Sequence, residues 1–246
     1  MSSSYEFDWN FVAESAPTLL GGLVTTLQLA ALTIVLSMTL AVPVAMARMA
    51  EFDLIRWIAQ GYIEIFRCTP MLVQLFWIYF ALPALTGVTI PGFASAVIAL
   101  TANLTAFMAE AYRSGFQAVP VEQIEAGRML RLNSFQRLRH IILPQAMRQQ
   151  TPVILSLNIS MFKDTALVST IAVADLMFEA NTLATQSYKA LEVLSLAAAM
   201  YFAIAFPVSL LTSYLERRSQ TAATRRPSSP KGRAKSGAAH PIGASS

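Results

Sequence analysis

The sequence predicts an all-α membrane protein with five transmembrane helices, its N-terminus outside and its C-terminus cytoplasmic. Three observations predict this. The chain has 246 residues, of which 55% are hydrophobic and only 13% charged, whereas a soluble domain carries about 25%. The missing charge leaves three long uncharged runs: from Glu14 to Arg48, from Cys68 through Ala109, and from Glu192 to Glu216. A span needs about 20 apolar residues to cross a hydrocarbon core about 30 Å thick. Finally, Lys and Arg collect on alternate connectors, which sets orientation.

The net charge of +4 alone would suit a nucleic-acid partner. The basic residues instead flank hydrophobic runs, with no aromatic-basic interleaving and no nucleic-acid motif, so no nucleic acid is expected. Cys68 is the only cysteine, which excludes an intrachain disulfide. The first residues carry Glu6, Asp8 and Glu14 and no basic n-region. They do not read as a cleavable signal peptide, and residues 1–16 are expected to form a short outer segment.

Segment one is expected from about Pro17 to Ala47. Pro17 suits a first helical turn, Pro43 suits a kink, and Thr25, Thr26, Gln28, Thr33, Ser37 and Thr39 suit close helix approach. A charged connector with Arg48, Glu51, Asp53 and Arg56 follows. Segment two is expected from Leu54 to about Leu82. Pro83, Gly87, Pro91 and Gly92 then interrupt any helix. Segment three runs from about Phe93 to Tyr112, segment four from near Thr151 to Phe162, and segment five from Val193 to Leu215, with a kink candidate at Pro207. Residues 17–216 thus form the membrane domain. Residues 217–246, rich in Ser, Pro, Ala, Arg and Lys, are expected to be a disordered basic tail.

One polar stretch, Pro120 to Gln149, lies within the connector 113–150. At 100° per residue, Phe135, Leu138, Ile141 and Ile142 fall on one arc, opposite Gln136, Arg137, Arg139 and His140. A short surface helix ended by Pro144 is expected. From Val121 to Leu132 the apolar residues Ile124, Met129, Leu130 and Leu132 spread around the helix, which suits contact with two surfaces.

Ionisable groups inside the spans are few. Glu64 and Arg67 sit three apart near the start of segment two, and Glu110 and Arg113 repeat that spacing at the inner end of segment three. Both sets are expected to pair locally or to snorkel to water. Lys163 and Asp164 lie about 18 Å into segment four at 1.5 Å per residue. Such groups are costly at mid-membrane and usually line a cavity. They form an ion pair, or Asp164 faces a pathway and meets a substrate ammonium. Gln74, Asn103 and Asn158 are candidates for the same cavity or for interhelical hydrogen bonds.

The polar stretch resembles the EAA loop of ABC importer permeases, a pattern of Glu-Ala-Ala, three residues, Gly, nine residues, then Ile-x-Leu-Pro. Here Glu125, Ala126 and Gly127 precede Arg131, and Ile141, Leu143 and Pro144 close the pattern at the matching spacing. Gly127 replaces the third Ala and Arg131 replaces the Gly. EIFRCTPMLVQL (Glu64 to Leu75), EAYRSGFQAVP (Glu110 to Pro120) and FKDTALVSTIAV (Phe162 to Val173) resemble the polar amino-acid uptake branch, with Cys68 in place of the usual Gly. The resemblance implies a type I importer (MetI-like) transmembrane domain in a bacterial inner membrane. It implies a second permease subunit (a copy or a relative), an ATPase dimer at the cytoplasmic face that receives the EAA loop, and a periplasmic solute-binding protein. It implies a polar amino acid as cargo, with an opine or a zwitterionic compatible solute as alternatives. Arg131 resists the left-handed turn a Gly would make by about 1 kcal/mol, so the turn is expected to shift to Asn133, or the first helix to run one residue longer.

The sequence has no phosphate-binding Gly-rich Lys-Ser/Thr motif, so ATP hydrolysis falls to a partner chain. Its two histidines, His140 and His240, make no metal cluster. No cofactor and no catalytic residue is expected. A self-contained secondary transporter would show repeated halves and more spans.

Overall fold

The computed structural model describes residues 7–224, all helix and connecting turns. Helix α1 spans Trp9–Arg48, and the Asp8 carboxylate caps it by accepting from the Phe11 N–H at 3.0 Å. It therefore starts eight residues before Pro17, which with Pro43 lies inside it. Absence of charge marks where a helix enters lipid, not where the helix begins.

The second segment is not one helix. Helix α2 covers Asp53–Cys68, and α3 covers Met71–Phe76. A π-turn over Trp77–Ala81 leads into α4, Leu82–Thr86. The chain bends by 111° between α2 and α3, at Thr69 and Pro70, where Pro70 disfavours helical geometry in the residue before it. Helix α5 is Gly92–Gln117, α6 is Val121–Met129 and α7 is Ser134–Arg137. A second π-turn, Leu138–Ile142, runs directly into α8, Leu143–Asp164. A 3-10 turn, Thr165–Ile171, precedes α9, Leu176–Ser187, and α10 spans Ala190–Thr224. The tail expected from residue 217 thus begins as helix, and residues 225–246 lie outside the described residues.

Two prolines expected to break helices do not. Each sits in the first turn of the helix that follows a π-turn: Pro83 opens α4 and Pro144 opens α8. Proline has no N–H and its ring clashes with the carbonyl four residues back. The wider turn relieves both problems. The Leu82 N–H reaches Trp77 O and the Leu143 N–H reaches Leu138 O, each five residues back. The surface helix thus flows into α8 instead of stopping.

Helix α1 packs most extensively on α5, and α8 on α5 and α10. The buried face of α1 sets Leu19 and Leu29 among Gly22, Thr26, Ala30, Thr33, Ser37, Ala41 and Ala45, mostly the small and hydroxylated residues that favour close membrane packing. Ser37 Oγ donates to Thr101 O of α5 at 3.2 Å. Three described helices, α1, α5 and α10 through Arg217, are long and apolar enough to cross a membrane. The bent pairs α2 with α3–α4, and α7–α8 with α9, raise the number to five if each counts as one span.

The bundle has two distinct ends. At one, Lys189 Nζ bonds Asp8 Oδ2 at 2.6 Å and lies 4.5 Å from the Phe11 ring centre, while Asp8 N donates to Glu192 Oε1 at 3.4 Å. Further along α1, Gly22 lies against the Asp175 backbone, where an added Cβ would sit 2.8 Å from Asp175 O. At the other end, α5 meets the start of α8 at Gly115, Ala146 and Gln150. The basic connectors and the polar stretch belong to this second end.

Candidate functional site

The polar stretch builds a folded lever. Helix α6 ends at Met129, and its last carbonyls are closed by two bonds. The Leu132 N–H reaches Gly127 O at 3.1 Å, and the Arg131 N–H reaches Arg128 O at 2.9 Å. This is the glycine-type helix stop with a left-handed residue just past the cap, and Arg131 takes that conformation itself, at φ +56°. The turn neither shifts to Asn133 nor lengthens α6. Asn133 is already committed as the cap of α7: it accepts from the Gln136 N–H at 2.8 Å, while Gln136 Oε1 accepts from the Asn133 N–H at 2.9 Å. That reciprocal cap fixes the bend, and Arg131 bears the strain.

Contacts lock α6 to the next limb. Gly127 is buried, and a Cβ on it would lie 2.7 Å from Ile141 Cδ1. The atoms met belong to the side chains of Ile141 and Arg137, so an Ala here would only have to displace the tip of Ile141. Arg137 donates to Leu132 O at 2.8 Å, and Gln145 Nε2 of α8 donates to Gln123 Oε1 of α6 at 2.5 Å. Ile124 and Leu132 turn inward and are half-buried, whereas Met129 and Leu130 are 88% and 74% exposed. The two-surface character expected of α6 is present: one edge packs on the chain, and the other leaves Met129 and Leu130 uncovered beside the exposed Glu122, Glu125 and Arg128. Glu125 and Ala126 are exposed, Ile141 and Leu143 are half-buried, and Pro144 is exposed at the start of α8.

Helix α8 carries the lever inward. Its 22 residues span about 33 Å and end at Lys163 and Asp164. Neither forms an ion pair among the described residues, so the pairing alternative is not realised. Lys163 is exposed and lines a groove of ≈ 410 Å³ with Met177, Leu194 and Tyr201, while Asp164 is half-buried. Gln74 and Asn103 are elsewhere, bonded together at 2.9 Å, and they close the α2–α3 break: Gln74 Nε2 donates to Phe66 O and Thr69 O, and Asn103 Nδ2 donates to Phe66 O at 3.1 Å. Asn158 lines an apolar groove of ≈ 240 Å³ between α1, α8 and α10, with its Oδ1 buried and unpartnered among the described residues. The five candidates therefore do not form one cluster.

One buried polar junction escaped the sequence reading. Asp175, fully buried, caps α9 by accepting from the Phe178 N–H at 2.9 Å, and Tyr201 of α10 lies 3.4 Å from its Oδ2. Thr26 of α1 accepts from the Leu176 N–H at 3.0 Å. These residues are up to 175 positions apart (Thr26 to Tyr201) in the numbering, and no local spacing signals them. At the bundle end, Asp8 is held below the usual carboxylate range, first by its hydrogen bond from Lys189 and then by the Phe11 N–H.

The family model for the binding-protein-dependent transport system inner membrane component matches residues 34–221, most of the described chain. The chain belongs to this family. The family is the membrane permease component of ABC importers, a transport part and not an enzyme, and its members work with an ATPase and a substrate-binding protein. The chain is 33% identical over 222 residues to the glutamate/aspartate import permease protein GltK of Escherichia coli, covering 87% of this chain and 99% of that one. It is 38% identical over 212 residues to the L-cystine transport system permease protein TcyB of Bacillus subtilis, covering 85% and 90%. It is 34% identical over 219 residues to the nopaline transport system permease protein NocM of Agrobacterium fabrum, covering 85% and 90%. Among solved structures it resembles an amino acid ABC transporter crystallised with histidines, with TM-score 0.79, 34% identity, and coverage of 87% of this chain and all of that one. The inward-facing methionine transporter MetNI shares the fold at TM-score 0.66 and 20% identity, covering 80% and 96%. This permease is therefore an all-helical, multi-pass membrane protein with the type I importer fold.

Proposed function

We propose that this chain is the inner-membrane permease subunit of a bacterial importer for a polar amino acid. It has five spans, its N-terminus outside and residues 113–150 in the cytoplasm. The carrying observation is the lever: an uncovered edge of α6 with Met129 among charged side chains, joined to α8 through Gln123–Gln145. That edge, with Glu125 and Ala126, docks in an ATPase dimer. Closure of the ATPase moves α6, the contacts at Gly127–Ile141 and Gln123–Gln145 pass the motion to α8, and Lys163 and Asp164 move with it. Asp164 meets the substrate ammonium, and Gln74, Asn103 and Asn158 shape the pathway from separate walls. A second permease subunit completes the pathway, and a periplasmic binding protein delivers cargo at the end that carries Asp8 and Lys189. The likeness to glutamate/aspartate, cystine and histidine-bound relatives supports an amino acid as cargo. The likeness to a nopaline permease supports an opine as the second reading.

The test is reconstitution with the cognate ATPase and binding protein. A pool of the twenty protein amino acids is expected to stimulate ATP hydrolysis and to drive uptake. Stimulation by nopaline-type opines alone would favour the second reading. Asp164→Asn is expected to raise the concentration for half-maximal stimulation, and an unchanged value refutes its role.

A further inference from the structure

Helix α2 carries a polar stripe. Arg56, Gln60, Glu64 and Arg67 recur at helical spacing, so they share one face. The flank beside this stripe, with Ala59 and Ile63, is buried, and the opposite face carries the exposed Leu54, Ile58 and Ile65. The stripe ends deep in the membrane region. Tyr62 Oη donates to Ala102 O at 2.6 Å, and Asn103 donates to Phe66 O at 3.1 Å. Ala102 and Asn103 lie close to the middle of the charge-free part of α5, from Phe93 to Ala109. Glu64, Arg67, Cys68 and Thr69 are all exposed there. The Arg67 guanidinium lies 5.7 Å from the Phe107 ring centre, about 6 Å from the Asn103 level along α5. It is stacked on one side, and among the described residues it has no hydrogen-bond acceptor and no ion pair to Glu64 or Glu110. Among the described residues Glu64 accepts only from the Cys68 thiol, at 3.5 Å. An arginine has five donors; Arg67 acts on Glu110 only through space, and a charge without a bonded partner at this depth is costly against hydrocarbon.

We propose that Glu64 and Arg67 form a zwitterion-binding pair on the wall of the translocation pathway, where Arg67 meets the carboxylate and Glu64 the ammonium of an α-amino acid in transit. Residues three apart on a helix place their side chains about 5–6 Å apart at Cβ, which suits the two charged groups on one α-carbon. The planar guanidinium offers a two-pronged contact to a carboxylate. The helix break keeps this pair at the end of a polar track that starts at the basic bundle end. The pair is separate from Lys163 and Asp164, and it rests on the amino-acid reading of the cargo.

Cys68 reports on this wall without any mutation. The complete transporter, reconstituted with ATPase and binding protein, is treated with the anionic thiol reagent sulfonatoethyl methanethiosulfonate, with and without the pool of twenty amino acids. Cys68 is expected to react in the folded complex and to be slowed at least about threefold by the pool during turnover. Arg67→Gln is expected to raise the half-saturating concentration about tenfold, with partial rescue in Arg67→Lys and none in Arg67→Glu. A pool that fails to stimulate ATP hydrolysis overturns the amino-acid reading and the pair together. A pool that stimulates hydrolysis but fails to protect Cys68, or whose half-saturating concentration does not depend on residue 67, overturns the pair alone. Labelling that the pool leaves unchanged identifies α2 as a helix merely facing bulk water.

Discussion

Helices α2 and α5 carry the same Glu-x-x-Arg spacing and use it in opposite ways. On α5 the pair closes: Arg113 Nε donates to Glu110 Oε1 at 2.9 Å, Arg113 also donates to Gln117 Oε1 at 2.8 Å, and both ion-pair side chains are about three-quarters buried. On α2 the pair stays open, with Arg67 over Phe107 and Glu64 on the Cys68 thiol. Identical spacing permits pairing but does not enforce it. At the end of α5 the chain continues straight and Gln117 adds a third polar group. At the end of α2 the helix breaks, and Phe107 draws the guanidinium aside. A closed pair holds structure together, whereas an open pair is available to something that passes.

The largest expected effect separates the two sites by function. Arg67→Gln removes a charge-assisted bond worth about 1.5–3 kcal/mol, hence a loss of about tenfold or more in half-saturating concentration. The unfolding midpoint in detergent should not move. Glu110→Gln should do the reverse. It leaves Arg113 unpaired, which costs about 1–3 kcal/mol, less than the 3–5 for a fully buried pair. Denaturant unfolding would show that loss, and substrate affinity would stay. If both variants lost stability equally, the contrast would collapse.

A smaller effect lies in the lever. Arg131→Gly should stabilise the α6–α7 turn by about 1 kcal/mol, seen as slower hydrogen exchange at the Leu132 amide. Arg131→Ala should give little of that gain, because Ala pays for positive φ as Arg does. The smallest effect is at the opposite end of the bundle. Asp8 has a folded pKa below its unfolded one, so its tie to Lys189 contributes fully above the unfolded value and is lost as pH falls through the lower folded value. Asp8→Asn should therefore matter at neutral pH, not below the usual carboxylate range, and the difference should shrink with added salt. A difference that persists at low pH would assign the tie to Phe11 packing instead.

Much of the fold was legible in the residues. Uncharged runs located the membrane-embedded parts of α1, α5 and α10; of the polar residues read along α1, Thr26, Thr33 and Ser37 mark its buried face, whereas Gln28 and Thr39 are exposed. Helix ends were not legible, because Asp8 caps α1 outside the uncharged run. Pro83 and Pro144 misled for one reason: a π-turn needs no special residue before a proline, so the sequence does not distinguish a stop from a wide turn. The spacing from Glu125 to Pro144 located the lever, but not the strain at Arg131, since the Asn133 cap that forces it is a three-dimensional competition. The junction of Thr26, Asp175 and Tyr201 joins three helices, and nothing local announces it.

The central claim is that force enters at the exposed edge of α6. A photo-crosslinking amino acid placed at Met129 tests it most directly, with a second chain carrying the probe at Tyr188, which is 93% exposed beside Lys189 at the other bundle end. In the assembled transporter the probe at residue 129 is predicted to capture the ATPase subunit, and the probe at residue 188 is predicted not to. Capture of the ATPase from residue 188, or none from residue 129 in a transporter that still imports, would contradict it.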